Sequence, residues 1–172
     1  TAYRQALEQL EHAAFHDHLT GLANRLHFKR NLEQAIVTAE RYNSHVGLLL
    51  IDLDHFKQIN DVWGHEAGDL VLKEIASRLR CIVRNSDIVA RLGGDEFGIV
   101  LTRLQSMDEM QGLSERILAE ISRPVQSGNR SWPVSCSIGL TSFPTDARSA
   151  EHLQRCADLA MYHAKNHGAN GF

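Results

Sequence analysis

No stretch of this sequence is apolar for long enough to cross a bilayer, and none reads as a secretory leader. Within this segment, membrane-spanning and exported classes are therefore set aside. Cysteine is scarce. Cys81, Cys136 and Cys156 are scattered, odd in number and without metal-ligand spacing. That excludes a disulfide scaffold and reads as core thiols in a reduced, cytoplasmic setting. A dominant charge is missing too. The formal net charge is −3, too small to argue for nucleic acid or a membrane surface as partner. Any anionic ligand must be held by local groups. Internal repeats, low-complexity tracts and a second domain are also absent. What is present is a 172-residue chain with 43% hydrophobic content, enough for one packed core.

Apolar spacing predicts the elements. Leu7, Leu10 and Ala14 place a helix over residues 1–15, either a linker from an upstream domain or a helix folded on this one. Gly21 punctuates a turn, and Phe28, Leu32, Ile36 and Ala39 form the face of a helix over 25–42. "VGLLLID" (46–52) is apolar throughout, as a strand buried on both faces must be. An amphipathic helix follows over 65–83. Residues 87–92 and 97–101 read as strands joined around Gly93-Gly94, a hairpin signal because the turn needs positive φ. Met110, Leu113, Ile117 and Ile121 give a helix stopped by Pro124. "QSGNRS" reads as a turn before one strand, "WPVSCSIGLTSF", and a last helix carries Leu153, Ala157 and Met161. Strands lie between helices, yet one pair is a hairpin. The fold class is α/β, an α+β sandwich with a mixed, mainly antiparallel sheet of the ferredoxin-like kind.

The chemistry gathers at two places. Asp52 ends the apolar strand, where an unpaired carboxylate is expensive, so it calls for an arginine, a lysine or a metal. Asp54 stands before a helical turn and reads as its N-cap. Lys57 falls in that first turn, against the helix dipole. It is either a solvated lysine or, with free N–H groups, part of an anion site. Magnesium suits carboxylates and phosphate oxygens together. If the hairpin lies beside the central strand, Asp95 and Glu96 approach Asp52, and divalent ions resolve their repulsion. Otherwise they are solvated turn acids.

Three motifs in this order, "DHLTGLANR", "DLDHFKQINDVWGHEAGD" and "RLGGDEF", resemble the GGDEF family of diguanylate cyclases. The resemblance spans about Asp17 to Asn170. It implies a linker helix over 1–15 and a domain over 16–172, with a sheet similar to the nucleotidyl cyclases and the polymerase palm. It further implies a reaction joining two GTP into cyclic di-GMP, two Mg²⁺ (or Mn²⁺) per site, a homodimer facing itself across the substrates, and an upstream sensor. By the same resemblance, Asp52, Asp95 and the Leu53 carbonyl bind metal. Glu96 adds a ligand or activates the 3′-hydroxyl. The His55 and Phe56 backbone, Lys57 and Lys165 hold phosphates. Gly93 and Gly94 allow close approach of the ligand. Asn60 and Asp69 read guanine, whose N1–H and N2–H₂ suit a carboxylate acceptor. Capping is the alternative role for that last pair.

"RNSD" places Arg84 and Asp87 where the family keeps a product-inhibition site. A helix-end arginine is the other reading. One departure stands out: the family follows its last lysine with an arginine four residues on, and here that position is Ala169. His12 and His16 share a helical face with His18 nearby, but a structural zinc takes four ligands.

Overall fold

The computed structural model describes all 172 residues. Helix α1 (Ala2–Phe15) leads in, followed by α2 (Arg25–Tyr42), β1 (His45–Leu53), α3 (Phe56–Trp63) and α4 (His65–Ile82). Strands β2 (Ile88–Gly93) and β3 (Glu96–Leu104) come next, then α5 (Met107–Ile121). Strands β4 (Val125–Ser127), β5 (Arg130–Trp132) and β6 (Cys136–Phe143) and helix α6 (Ala150–Asn166) complete the chain. The main sheet has the order β2-β3-β1-β6. Each of its ladders is antiparallel. Parallel pairing is confined to single bridges at the two edges, Ala23 with Ala90 and Ser137 with Gly171.

Strand β1 explains the architecture. Its side chains alternate between faces, and both faces are covered. Leu49, Ile51 and Leu53 join the core with α3, α4 and α5, while Val46, Leu48 and Leu50 join the core with α2 and α6. Each such leucine or isoleucine contributes about 1.5–3 kcal/mol by leaving water. That is why an unbroken apolar run sits in the middle of the sheet. Local signals set the helix ends. The Asn24 side chain accepts from His27 N at 3.0 Å, and α2 stops at Asn43 in the left-handed region, φ 51°.

The expected single strand "WPVSCSIGLTSF" is two. Pro133 has no N–H for a ladder and falls between β5 and β6. Strand β5 instead closes a small hairpin with β4, turning at Gly128. Helix α1 exists as expected but buries none of its residues, and Tyr3, Leu7 and Leu10 are exposed.

Candidate functional site

The antiparallel register builds the acidic centre. Asp52 is paired across the sheet with Glu96 on β3 and Ser137 on β6. The hairpin turn closes with Gly93 opposite Glu96, and Gly93 (φ 139°) and Gly94 (φ 51°) take conformations that L side chains resist. The Asp95 carbonyl then accepts from Leu53 N at 3.2 Å. The turn is thus tied to β1, and Asp95 and Glu96 stand beside Asp52 as the sequence suggested.

Lys165, in the last turn of α6, reaches the same place. Its Nζ lies 2.9 Å from Asp52 Oδ1, an oxygen otherwise buried without a directed hydrogen bond. Burial first, and then the Asp95 charge, push the Asp52 carboxyl up to about 6 despite the Lys165 ammonium. Glu96 is raised as well, by burial and then by Asp52 and Asp158, while Arg25 and Lys165 pull it down. Arg25 donates through Nε to the Leu92 carbonyl at 2.9 Å and holds Nη2 3.7 Å from Glu96 Oε2.

This is a cluster of acids short of positive charge. The donor set fits a hard divalent cation: Asp52 and Asp95 carboxylates with the Leu53 carbonyl, all oxygen. An all-oxygen set with two carboxylates suits magnesium, which takes one or two carboxylates and completes its shell with water and substrate oxygens. His12 and His16 stack ring on ring at 4.0 Å and 5°.

Beyond the acids, His55 takes the left-handed conformation (φ 57°) and starts α3 without a side-chain cap. The first-turn N–H groups of Phe56 and Lys57 have no side-chain cap, and Lys57 is exposed. Asn60 lies against the first turn of α4, where a Cβ on Gly68 would collide with its Oδ1. Glycine at 68 thereby makes room for the Asn60 amide one residue before Asp69. A cavity of about 440 Å³ between α3 and the β5–β6 link is lined by Asp54, His55, Trp63 and Trp132. None of Asp52, Asp95, Glu96, Asn60 or Asp69 lines it.

Two features escaped the sequence. Asp54 is no N-cap. It is buried, and it accepts from Ser135 Oγ (2.7 Å), Ser137 Oγ (2.8 Å) and Asn170 N (3.0 Å). It ties β1 to β6 and to the C-terminal tail. Arg91 is the second. Its Nη1 donates to Asp17 Oδ1 at 3.0 Å, and its Nε and Nη2 both donate to the Gly94 carbonyl. Burial works to raise the Asp17 pKa, but Thr20 and Arg91 outweigh it and hold it below the ordinary value. The motifs "DHLTGLANR" and "RLGGDEF" are therefore one clamp on the turn.

Arg84 and Asp87 lie elsewhere. Ile88 is level with Val100 and Leu48, so Asp87 sits roughly 17 Å along the strands from Asp52. Arg84 pairs with Glu109 of α5 at 2.9 Å, and Asp87 Oδ1 accepts from Thr102 N at 3.2 Å. Ala169 follows the end of α6 in the left-handed region (φ 55°), next to the Asn170 amide that Asp54 holds.

Sheet order, helices on both faces and the acidic turn define a ferredoxin-like α/β sandwich with its acidic cluster at one end of the middle strands. The chain belongs to the family described as diguanylate cyclase, GGDEF domain, whose model matches residues 14–171. It is 42% identical over 172 residues to the bifunctional diguanylate cyclase/cyclic di-GMP phosphodiesterase MucR of Pseudomonas aeruginosa, covering all of this chain and 25% of that one. Diguanylate cyclase TpbB of the same organism is 42% identical over 157 residues, 91% of this chain and 36% of that one. The cyclic di-GMP phosphodiesterase NbdA, also from Pseudomonas aeruginosa, is 37% identical over 95% of this chain and 22% of its own. The chain thus spans only a minor part of these longer relatives. The solved GGDEF domain of TpbB superposes with TM-score 0.88 at 39% identity, covering 91% of each chain. The coiled coil and GGDEF domain of Caulobacter crescentus DgcB, solved with c-di-GMP, gives 0.90 at 31% identity, covering 99% and 90%.

Proposed function

We propose that this domain is a diguanylate cyclase module of a larger signalling protein, joining two GTP into cyclic di-GMP. The observation that carries the reading is the convergence of Asp52, Asp95 and Glu96 beside Lys165. When bound, magnesium or manganese, two per site, supplies charge neutralisation at the phosphates and the attacking oxygen. Asp52, Asp95 and the Leu53 carbonyl hold it. The backbone at His55 and Phe56, with Lys57, holds the triphosphate. Lys165, whose Nζ lies beside Asp52, would supply a cation for the phosphates. Gly93 and Gly94 leave the turn bare for the ligand. Asn60 and Asp69 orient guanine. Two domains face each other as a homodimer. Each 3′-hydroxyl oxygen bonds to the α-phosphorus of the opposite GTP, the bond to the β-bridging oxygen breaks, and pyrophosphate leaves. Glu96 either takes the hydroxyl proton or adds a metal ligand. Arg84 and Asp87 bind product away from this cleft and restrain turnover.

A second reading, a regulator that binds GTP or cyclic di-GMP without turnover, is favoured by Ala169, which removes a phosphate cation. Incubation with GTP and magnesium separates the two. Accumulation of cyclic di-GMP supports the cyclase, and GTP binding without product supports the regulator.

A further inference from the structure

The Arg84 side chain is exposed, yet one of its guanidinium nitrogens is already paired. Its Nη2 sits 2.9 Å from Glu109 Oε1. Glu109 is not free to leave. Its other oxygen, Oε2, accepts from Gln105 N at 2.8 Å, and its own amide donates to Ser106 Oγ at 3.2 Å. That reciprocal arrangement is the N-terminal cap of α5, so the carboxylate is fixed by the helix start. On the other side the turn 84–87 is closed by Asp87 N donating to the Arg84 carbonyl at 3.0 Å. The Asp87 carboxylate is tied to Thr102 N at 3.2 Å. A phosphodiester approaching Arg84 therefore meets a guanidinium nitrogen already paired and a fixed negative charge on α5.

We propose that Glu109 is a built-in competitor for the Arg84 guanidinium and sets the affinity of this site for the cyclic dinucleotide product. The inference rests on the reading of Arg84 and Asp87 as the product site. The product's phosphate and the Glu109 carboxylate are both anionic oxygen acceptors, and the guanidinium nitrogen that Glu109 holds serves one of them at a time. A competitor held by its own helix cap stays in place at every product concentration. Product restraint then starts at a higher concentration than the same arginine would give alone. Because the ion pair is half in water, its removal has a bounded effect.

Glu109→Gln is the informative change. The amide oxygen still accepts from Gln105 N, so the cap is kept while the charge is lost. Cyclic di-GMP is titrated by calorimetry into the parent, Glu109→Gln, Arg84→Ala and the double variant, each checked by circular dichroism. The expected result is binding about five- to tenfold tighter in Glu109→Gln, no such gain when Arg84 is already alanine, and weak binding in Arg84→Ala. Glu109→Gln binding no tighter than the parent, while Arg84→Ala still weakens binding, overturns the competitor and leaves the product site standing. Equal product affinity in the parent and Arg84→Ala overturns both. So does binding by none of the variants.

Discussion

Asp52 titrates near 6 because burial and Asp95 disfavour its charge more than Lys165 favours it. A raised folded-state pKa means that the folded domain binds the proton better than the unfolded chain does. Metal-free stability from this group is therefore present at pH 4 and lost as pH rises through 6. Asn at 52 carries no such charge. Asp52→Asn should melt above the parent at pH 7.5 by several degrees, from about 2 kcal/mol, and match it near pH 4. The same variant, and Asp95→Asn, should make no cyclic di-GMP while keeping the parent's circular dichroism. Near-parent turnover in either one removes the metal assignment. Asp69 is tested by selectivity. Its carboxylate accepts two guanine N–H groups, and Asn presents a mixed pair. Asp69→Asn should lose GTP affinity by about 2–3 kcal/mol and discriminate less against ATP. Unchanged GTP binding would make Asp69 only a helix-start residue.

At the scale of elements, the C-terminal tail matters as much as α6. Asp54 holds the tail at Asn170, and Ile138 N donates to the Gly171 carbonyl at 2.9 Å. Asp54→Ala leaves two buried or half-buried serine hydroxyls and one amide without their acceptor. A loss of about 2–4 kcal/mol follows, a drop of roughly 5–10 °C in melting temperature. A calorimetric scan within 2 °C of the parent would contradict it. Ala169 sits in that tail, already left-handed, so an arginine there adds little backbone strain. Ala169→Arg should tighten GTP about tenfold at fixed magnesium and low salt, and filter-binding titration reads this directly. Strand β1, its terminal acid and the Gly-Gly hairpin were legible because each has a local signature. Asp54 was misread because a carboxylate just before a helix mimics a cap. Its true partners, Ser135 and Ser137, lie 81 and 83 residues away. The Asp17–Arg91 clamp spans 74 residues and was hidden for the same reason.

For the whole molecule, α1 contributes no buried residue. Deleting residues 1–13 should leave the melting temperature within about 2 °C, since only ordinary surface contacts are lost. It should also weaken turnover per domain at low protein concentration, if the exposed Tyr3, Leu7 and Leu10 help two copies meet. Specific activity independent of concentration in both forms would count against the facing dimer. The fold class was legible, whereas the split at Pro133 and the route of the tail were not, since both depend on which strand lies next to which. The ladder that sets Asp52 opposite Glu96 has one more consequence, for how such a domain can change over generations. Asp52 and Glu96 are spaced by the strand-to-strand repeat of about 4.8 Å, and only Asp95 stands in the turn. Substitutions spread over the outer faces of α2, α4 and α5 can accumulate without altering that spacing. A one-residue insertion within β1 or β3 would turn every following side chain to the opposite face. The same insertion at Gly128, in the small hairpin's turn, would be borne without loss of the cleft. Drift in composition is borne on those outer faces, and drift in length least of all beside Asp52 and Glu96 in the two middle strands.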